Sequence, residues 1–208
     1  MQITEQKRVL LTNTFINLLI QIFIVYISSV LVSRNENMNE FVNSNLIWII
    51  LSYFILVFIL ILARFRIYFN LSIPVRFTIF ALISVISGIL LSNVHNIERI
   101  LLDVFVIFMA LVCAGILSVR MNMDLSFIGG ILSLILFSIL IYRIVNINNS
   151  DNKYSEIIGN IIGIVFALFV VVDTNSILQN DYDGNFINAS FNYFTDVLQL
   201  IKFMDNDN

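Results

Sequence analysis

The sequence predicts an all-α membrane protein, a seven-transmembrane-helix bundle with a central seventh helix. Three observations predict it. Of the 208 residues, 59% are hydrophobic and only 12% charged, against about 25% charged in soluble domains. Seven apolar stretches of span length fill most of the chain and leave too little for a large extramembrane domain. The last stretch, Asn185 to Met204, is apolar enough to enter a bilayer, yet Asn185, Asn188, Asn192, Asp196 and Gln199 recur along it at spacings of three and four. That spacing gives one helix face a polar stripe throughout. Residues 1–208 therefore read as a single multi-pass domain.

The first span covers about 9–32, after the charged start Glu5, Lys7, Arg8. A signal-peptide core is only about 7–15 residues long, so this span is expected to be retained. Asn13, Asn17, Gln21 and Ser28 form a polar stripe on it, read either as interhelical hydrogen-bonding glue or as the wall of a wet cavity. The segment SRNENMNE is expected to be a polar loop. The second span, 46–63, carries Trp48 and Tyr53 as candidate interfacial anchors and ends at Arg64 and Arg66. The third, 74–91, opens on the single Pro, at a tolerated helix start. Arg76 in its first turn is expected to snorkel.

The fourth span, 101–119, holds Asp103, placed to complement the helix dipole. The fifth spans 125–142, the sixth 155–175 and the seventh 185–204. Small residues recur every four positions at Ser84, Gly88, Ser92; at Ala110, Ala114, Ser118; and at Gly159, Gly163, Ala167. Such stripes let membrane helices approach closely. Lys7, Arg8, Arg64, Arg66 and Arg76 cluster on one side of the early spans, which places the N-terminus in the cytosol.

Several functions lose support here. The net charge of −3, with no basic tract, offers nucleic acid nothing to bind. Cys113 is alone, so there is no disulfide framework. His95 is also alone, and metal sites need several convergent donors. Neither G-x-G-x-x-G nor G-x-x-x-x-G-K-[ST] occurs, so no phosphate cradle is expected.

What remains is a pair of acids. Asp196 lies about three turns inside its helix, where an unpaired carboxylate costs roughly 2.5–3.5 kcal/mol. Asp173 closes the preceding apolar run. Two carboxylates on consecutive helices at membrane depth resist ionising together and should share a proton.

The residues around these acids resemble a known family. Met123-Asp124-Leu125-Ser126-Phe127 with Gly129-Gly130 is similar to the K-x-D-[FL]-[ST] element of the transmembrane Bax-inhibitor-motif family. Asp173-Thr174-Asn175 resembles its Asp-Thr-Gln, and Phe194-Thr195-Asp196 with Gln199 and Leu200 resembles its Leu-Tyr-Leu-Asp-x-x-Asn-Leu. Arg64 is similar to the basic residue beside the family's two acids. Val172, Phe194 and Gln199 depart from the usual Tyr, Tyr and Asn.

The resemblance implies a calcium-permeable leak gated by pH through an Asp173–Asp196 sensor. In eukaryotic and viral members the setting is the endoplasmic reticulum or Golgi membrane, with restraint of cell death; in bacterial members it is the plasma membrane. Arg64 would latch the acids, Asn188, Asn192 and Gln199 would line the path, and calcium would bind Asp173 and Asp196 weakly, as transported ion and not as cofactor. The expected partners are the bilayer, calcium and membrane proteins of cell-death control.

Three alternatives stand beside it. A proton-coupled transporter should show inverted repeats and broken helices, and neither is visible. An intramembrane aspartyl protease should carry Tyr-Asp and Gly-x-Gly-Asp, where this chain has Val172-Asp173 and Phe194-Thr195-Asp196, so no enzyme is expected. The third alternative is a non-conducting regulator that works through membrane partners.

Overall fold

The structure, a computed structural model, describes residues 4–64, 71–94, 96–145, 155–179 and 185–206. His95 and Arg66 lie outside them, as do most of the loops on either side of α7. The described residues form eight helices and no strand: α1 (Glu5–Ser33), α2 (Glu36–Ser44), α3 (Leu46–Arg64), α4 (Ile73–Leu90), α5 (Ile97–Arg120), α6 (Ser126–Val145), α7 (Ser155–Gln179) and α8 (Phe186–Asn206). Seven of them coincide with the seven apolar stretches. Five, namely α1, α3, α4, α5 and α7, are long and apolar enough to cross a membrane. The apolar part of α6, Ser126–Tyr142, is shorter, and α8 is the more polar helix its stripe predicts.

The segment expected to be a polar loop is instead largely α2. Asn35 caps it, its side chain accepting the Met38 N–H at 3.2 Å from an extended backbone with φ −120°. Val42 is buried. A good N-cap and one buried apolar contact suffice to order nine residues that hydropathy alone leaves as a loop.

The helices group into two compact units. The first comprises residues 1–11, 99–184 and 195–208. Its α6–α7 seam buries Leu125, Leu132, Val165 and Val172, with Leu136, Phe169 and Val171 packed against them. Two glycines bring helices together here. A Cβ on Gly115 would stand 2.4 Å from Thr174 Cβ, and one on Gly163 would stand 2.5 Å from the Phe203 ring.

The second unit comprises residues 12–98 and 185–194. In it α1 and α4 nearly touch, since a Cβ on Gly88 would lie 2.4 Å from the Val25 carbonyl oxygen. Phe80 packs edge-on to Phe191 and Phe194, with centroids 5.5 and 5.0 Å away, and Phe15 stacks on Tyr193 at 5.7 Å. The Ser190 hydroxyl donates to the Thr14 carbonyl at 3.0 Å. α3 packs on α4 and otherwise exposes Ile47, Trp48, Phe54 and Phe58. In lipid such a face needs no partner, because acyl chains are as apolar as the side chains.

Several expectations change in detail. Arg76 does not snorkel: it is 4% exposed, and its Nε donates to the Leu71 carbonyl at 3.0 Å, a backbone acceptor within reach that spares it the trip to the surface. Asp103 is not in the first turn, because α5 starts earlier, at Ile97, with Glu98 as its first-turn acid. Asp103 instead lies 4.0 Å from Arg99, both side chains well exposed; such pairs contribute little. Of the three small-residue stripes, only Ser84, Gly88 and Ser92 is buried throughout. Ala110 and Ala114 are exposed, Gly115 making the close approach in their place, and nothing lies within 4 Å of a Cβ on Gly159. Cys113 is free and exposed.

On the α1 stripe, Asn13 is exposed and Ser28 half-buried, while Asn17 and Gln21 are buried. Gln21 Nε2 donates to Asn17 Oδ1 at 3.3 Å, and the Ser84 hydroxyl donates to Gln21 Oε1 at 2.8 Å. Gln21 thus bonds α1 to α4, while Asn17 bonds only to Gln21 within α1 and its Nδ2 has no partner among the described residues.

Candidate functional site

α7 carries Asp173 and runs one turn beyond the expected end of the span at residue 175, to Gln179. The extra turn holds because its polar groups find partners. Lys7 Nζ donates to the Gln179 carbonyl at 3.0 Å, a cation at a helix C-terminus where the dipole favours one. Gln179 Nε2 and Asn175 Nδ2 both donate to the Met123 carbonyl, at 2.6 and 2.9 Å. Asn175 Nδ2 also donates to Ser118 Oγ at 2.7 Å, and its Oδ1 accepts the Leu125 N–H at 3.3 Å.

These acceptors and donors are presented by the turn between α5 and α6. Asn122 adopts φ 56°, the left-handed conformation that Asn tolerates better than most residues. The Met123 N–H then bonds the Ser118 carbonyl and the Asn122 N–H bonds the Val119 carbonyl, each at 3.0 Å. This is a Schellman closure of α5. Asp124 next starts α6, its carboxylate accepting the Ser126 hydroxyl and the Ser126 N–H. Those two bonds hold the Asp124 carboxyl below its usual range.

α8 carries Asp196. Among its described side chains only Lys202 is exposed, so the helix, its polar stripe included, is at least partly covered on every face. Asn185 starts the helix, its Oδ1 accepting the Asn188 N–H at 3.3 Å. Asn188, Asn192 and Gln199 are half-buried. Asp196 is 4% exposed, and its Oδ2 has no hydrogen-bond partner among the described residues.

Asp173 is half-buried, and its charge is one of those that act on Asp196. Among the described residues no group of three or more His, Cys, Asp or Glu side chains converges as a metal cluster. Arg64 ends α3, and its side chain lies outside the described residues.

Two features escape a reading of the sequence. Asn175 is more than the third letter of a motif, and its signal is the spacing to Gln179, which sets two amides on one helix face. Arg76 is a buried cation for which the sequence offers no sign.

No curated protein matches the chain. The family model described as Inhibitor of apoptosis-promoting Bax1 matches residues 7–204. With that match across nearly its full length and five helices fit to cross a bilayer, the chain is an integral multi-pass membrane protein belonging to the Bax-inhibitor family.

Proposed function

We propose that the protein is a pH-sensitive, calcium-permeable leak pathway in which Asp173 and Asp196 act as one proton-sharing sensor. In this reading α6 and α8 cross the membrane with the other five helices, giving seven spans. One observation carries it: Asp196 is 4% exposed with a carboxylate oxygen unpartnered among the described residues, and the charge it feels directly is that of another acid. For packing alone, such an arrangement is costly where an Asn would serve, and buried acids in membrane helices mark ion and proton paths.

Two carboxylates fall short of the 6–8 oxygen ligands of a tight calcium site. With oxygens from Asn188, Asn192 and Gln199 along the path, binding stays weak, which lets an ion leave as well as enter. Restraint of cell death, through calcium release or through membrane partners, would follow in an endoplasmic reticulum or Golgi membrane. The test is calcium flux from liposomes holding the purified protein, followed against pH. Flux that varies with pH supports the proposal. No calcium flux at any pH assigns the protein to the non-conducting regulators instead.

A further inference from the structure

We infer that Asn175, helped by Gln179 and Ser118, is a positioning residue: it clasps the α5–α6 turn to α7 and so fixes where Asp173 presents its carboxylate. The inference rests on the sensor reading above for the role of Asp173, while the clasp itself rests on geometry.

Asn175 is 2% exposed, and both its amide donors and its carbonyl oxygen are directed at the end of α5 and the turn that follows it. Nδ2 uses both its donors, one on Ser118 Oγ and one on the Met123 carbonyl, and Oδ1 takes the Leu125 N–H. An Asp could not supply those donors, and a Leu would strand the buried Leu125 N–H, while the Met123 carbonyl would keep Gln179 and the Ser118 hydroxyl would keep the Gly115 carbonyl. Gln179, one turn on, reaches the same Met123 carbonyl, so both lone pairs of that oxygen are used.

Residue 174 adds a steric stop. Thr174 is fully buried, and its Cβ would stand 2.4 Å from a Cβ on Gly115 of α5. Residues two apart on a helix keep a fixed angle of about 200° around its axis. Once Asn175 is tied to the turn and Thr174 is seated on Gly115, the direction of Asp173 around α7 is settled. Rotating α7 by even one residue would break every bond of the clasp. Asp173 is thus the anchored member of the acid pair.

The test uses the full chain in lipid nanodiscs with isotope-labelled aspartate. Difference infrared spectra follow the carboxyl bands that Asp173→Asn and Asp196→Asn each remove. Amide hydrogen exchange is read over residues 121–126 alongside. Asn175→Leu should speed exchange at Leu125 by roughly tenfold, the scale of one lost buried hydrogen bond, and displace the Asp173 band. Asn175→Gln, which keeps donor and acceptor, should bring both back toward wild type. Gln179→Leu breaks one bond of the set and should move both in the same direction by less, which keeps the test alive if Asn175→Leu does not fold. Unchanged exchange in the Leu variants overturns the clasp. Faster exchange with unmoved carboxyl bands overturns the positioning of Asp173. Liposomes that pass no calcium remove the leak pathway but leave both spectroscopic readouts standing.

Discussion

The Ser84 hydroxyl of α4 donates to Oε1 of Gln21 of α1 across 2.8 Å, and both residues are fully buried. Between two apolar helices this bond contributes on the order of 0.6–1.7 kcal/mol. Ser84→Ala should lower stability by about that amount, as read by reversible unfolding in mixed micelles. Gln21→Leu should cost more, since it also removes the donor to the buried Asn17 Oδ1. A Ser84→Ala protein as stable as wild type would show that this bond does not help hold α1 to α4.

Shape has its own test at Gly88. A Cβ there would meet the Val25 carbonyl oxygen at 2.4 Å and Ser28 Cβ at 2.7 Å. Gly88→Ala should therefore destabilise by about 1–3 kcal/mol, the usual cost of overpacking. Gly159→Ala has open space around it and should be neutral or gain up to about 1 kcal/mol of helix propensity. Melting both variants in detergent separates a packing glycine from one that merely shares its spacing.

Asp124 sets the pH behaviour of the α5–α6 turn. The Ser126 hydroxyl, and after it the Ser126 amide, lower its titration point in the folded protein. A carboxyl depressed in this way contributes stability above its unfolded value of about 3.9, and loses it as pH falls through the lower, folded value. The turn should therefore keep its cap throughout the neutral and mildly acidic range. Asp124→Asn should lower the melting temperature slightly and leave the pH profile of flux as in wild type. A flattened profile in Asp124→Asn would move part of the sensor to this turn.

Asp173→Asn and Asp196→Asn should each remove most of the pH response of calcium flux in liposomes, because either one destroys the shared proton. The double variant should add little to either single one, as expected of groups that act as a unit. Both single variants keeping the wild-type profile would sink the sensor.

Arg64→Ala tests the latch suggested by the family resemblance. It should raise flux under conditions where the wild type is closed, with expression and melting checked first, since removing one partner of a buried ion pair costs about 3–5 kcal/mol. A folded variant with wild-type flux at every pH would take the latch away from this residue.

By itself the sequence determined the helical class, the place of seven of the eight helices and the family. Hydropathy over windows of span length suffices for the first two, because each helix satisfies its own backbone whatever surrounds it. The acids were legible for a related reason: Asp173 and Asp196 stand out against apolar neighbours in a solvent that penalises charge. Which face of each helix meets protein was decided only in three dimensions. Lipid and protein interior are equally apolar, so hydropathy does not separate buried Gly163 from open Gly159, or Gly115 from exposed Ala114. The same holds for polar partners. Asn175 sits 50 residues or more from each group it binds outside α7, and Gln21 accepts from Ser84, 63 residues further along the chain. Such bonds depend on where helices come to rest against one another, and that is set by close packing summed over whole helix faces, which no local stretch of sequence records.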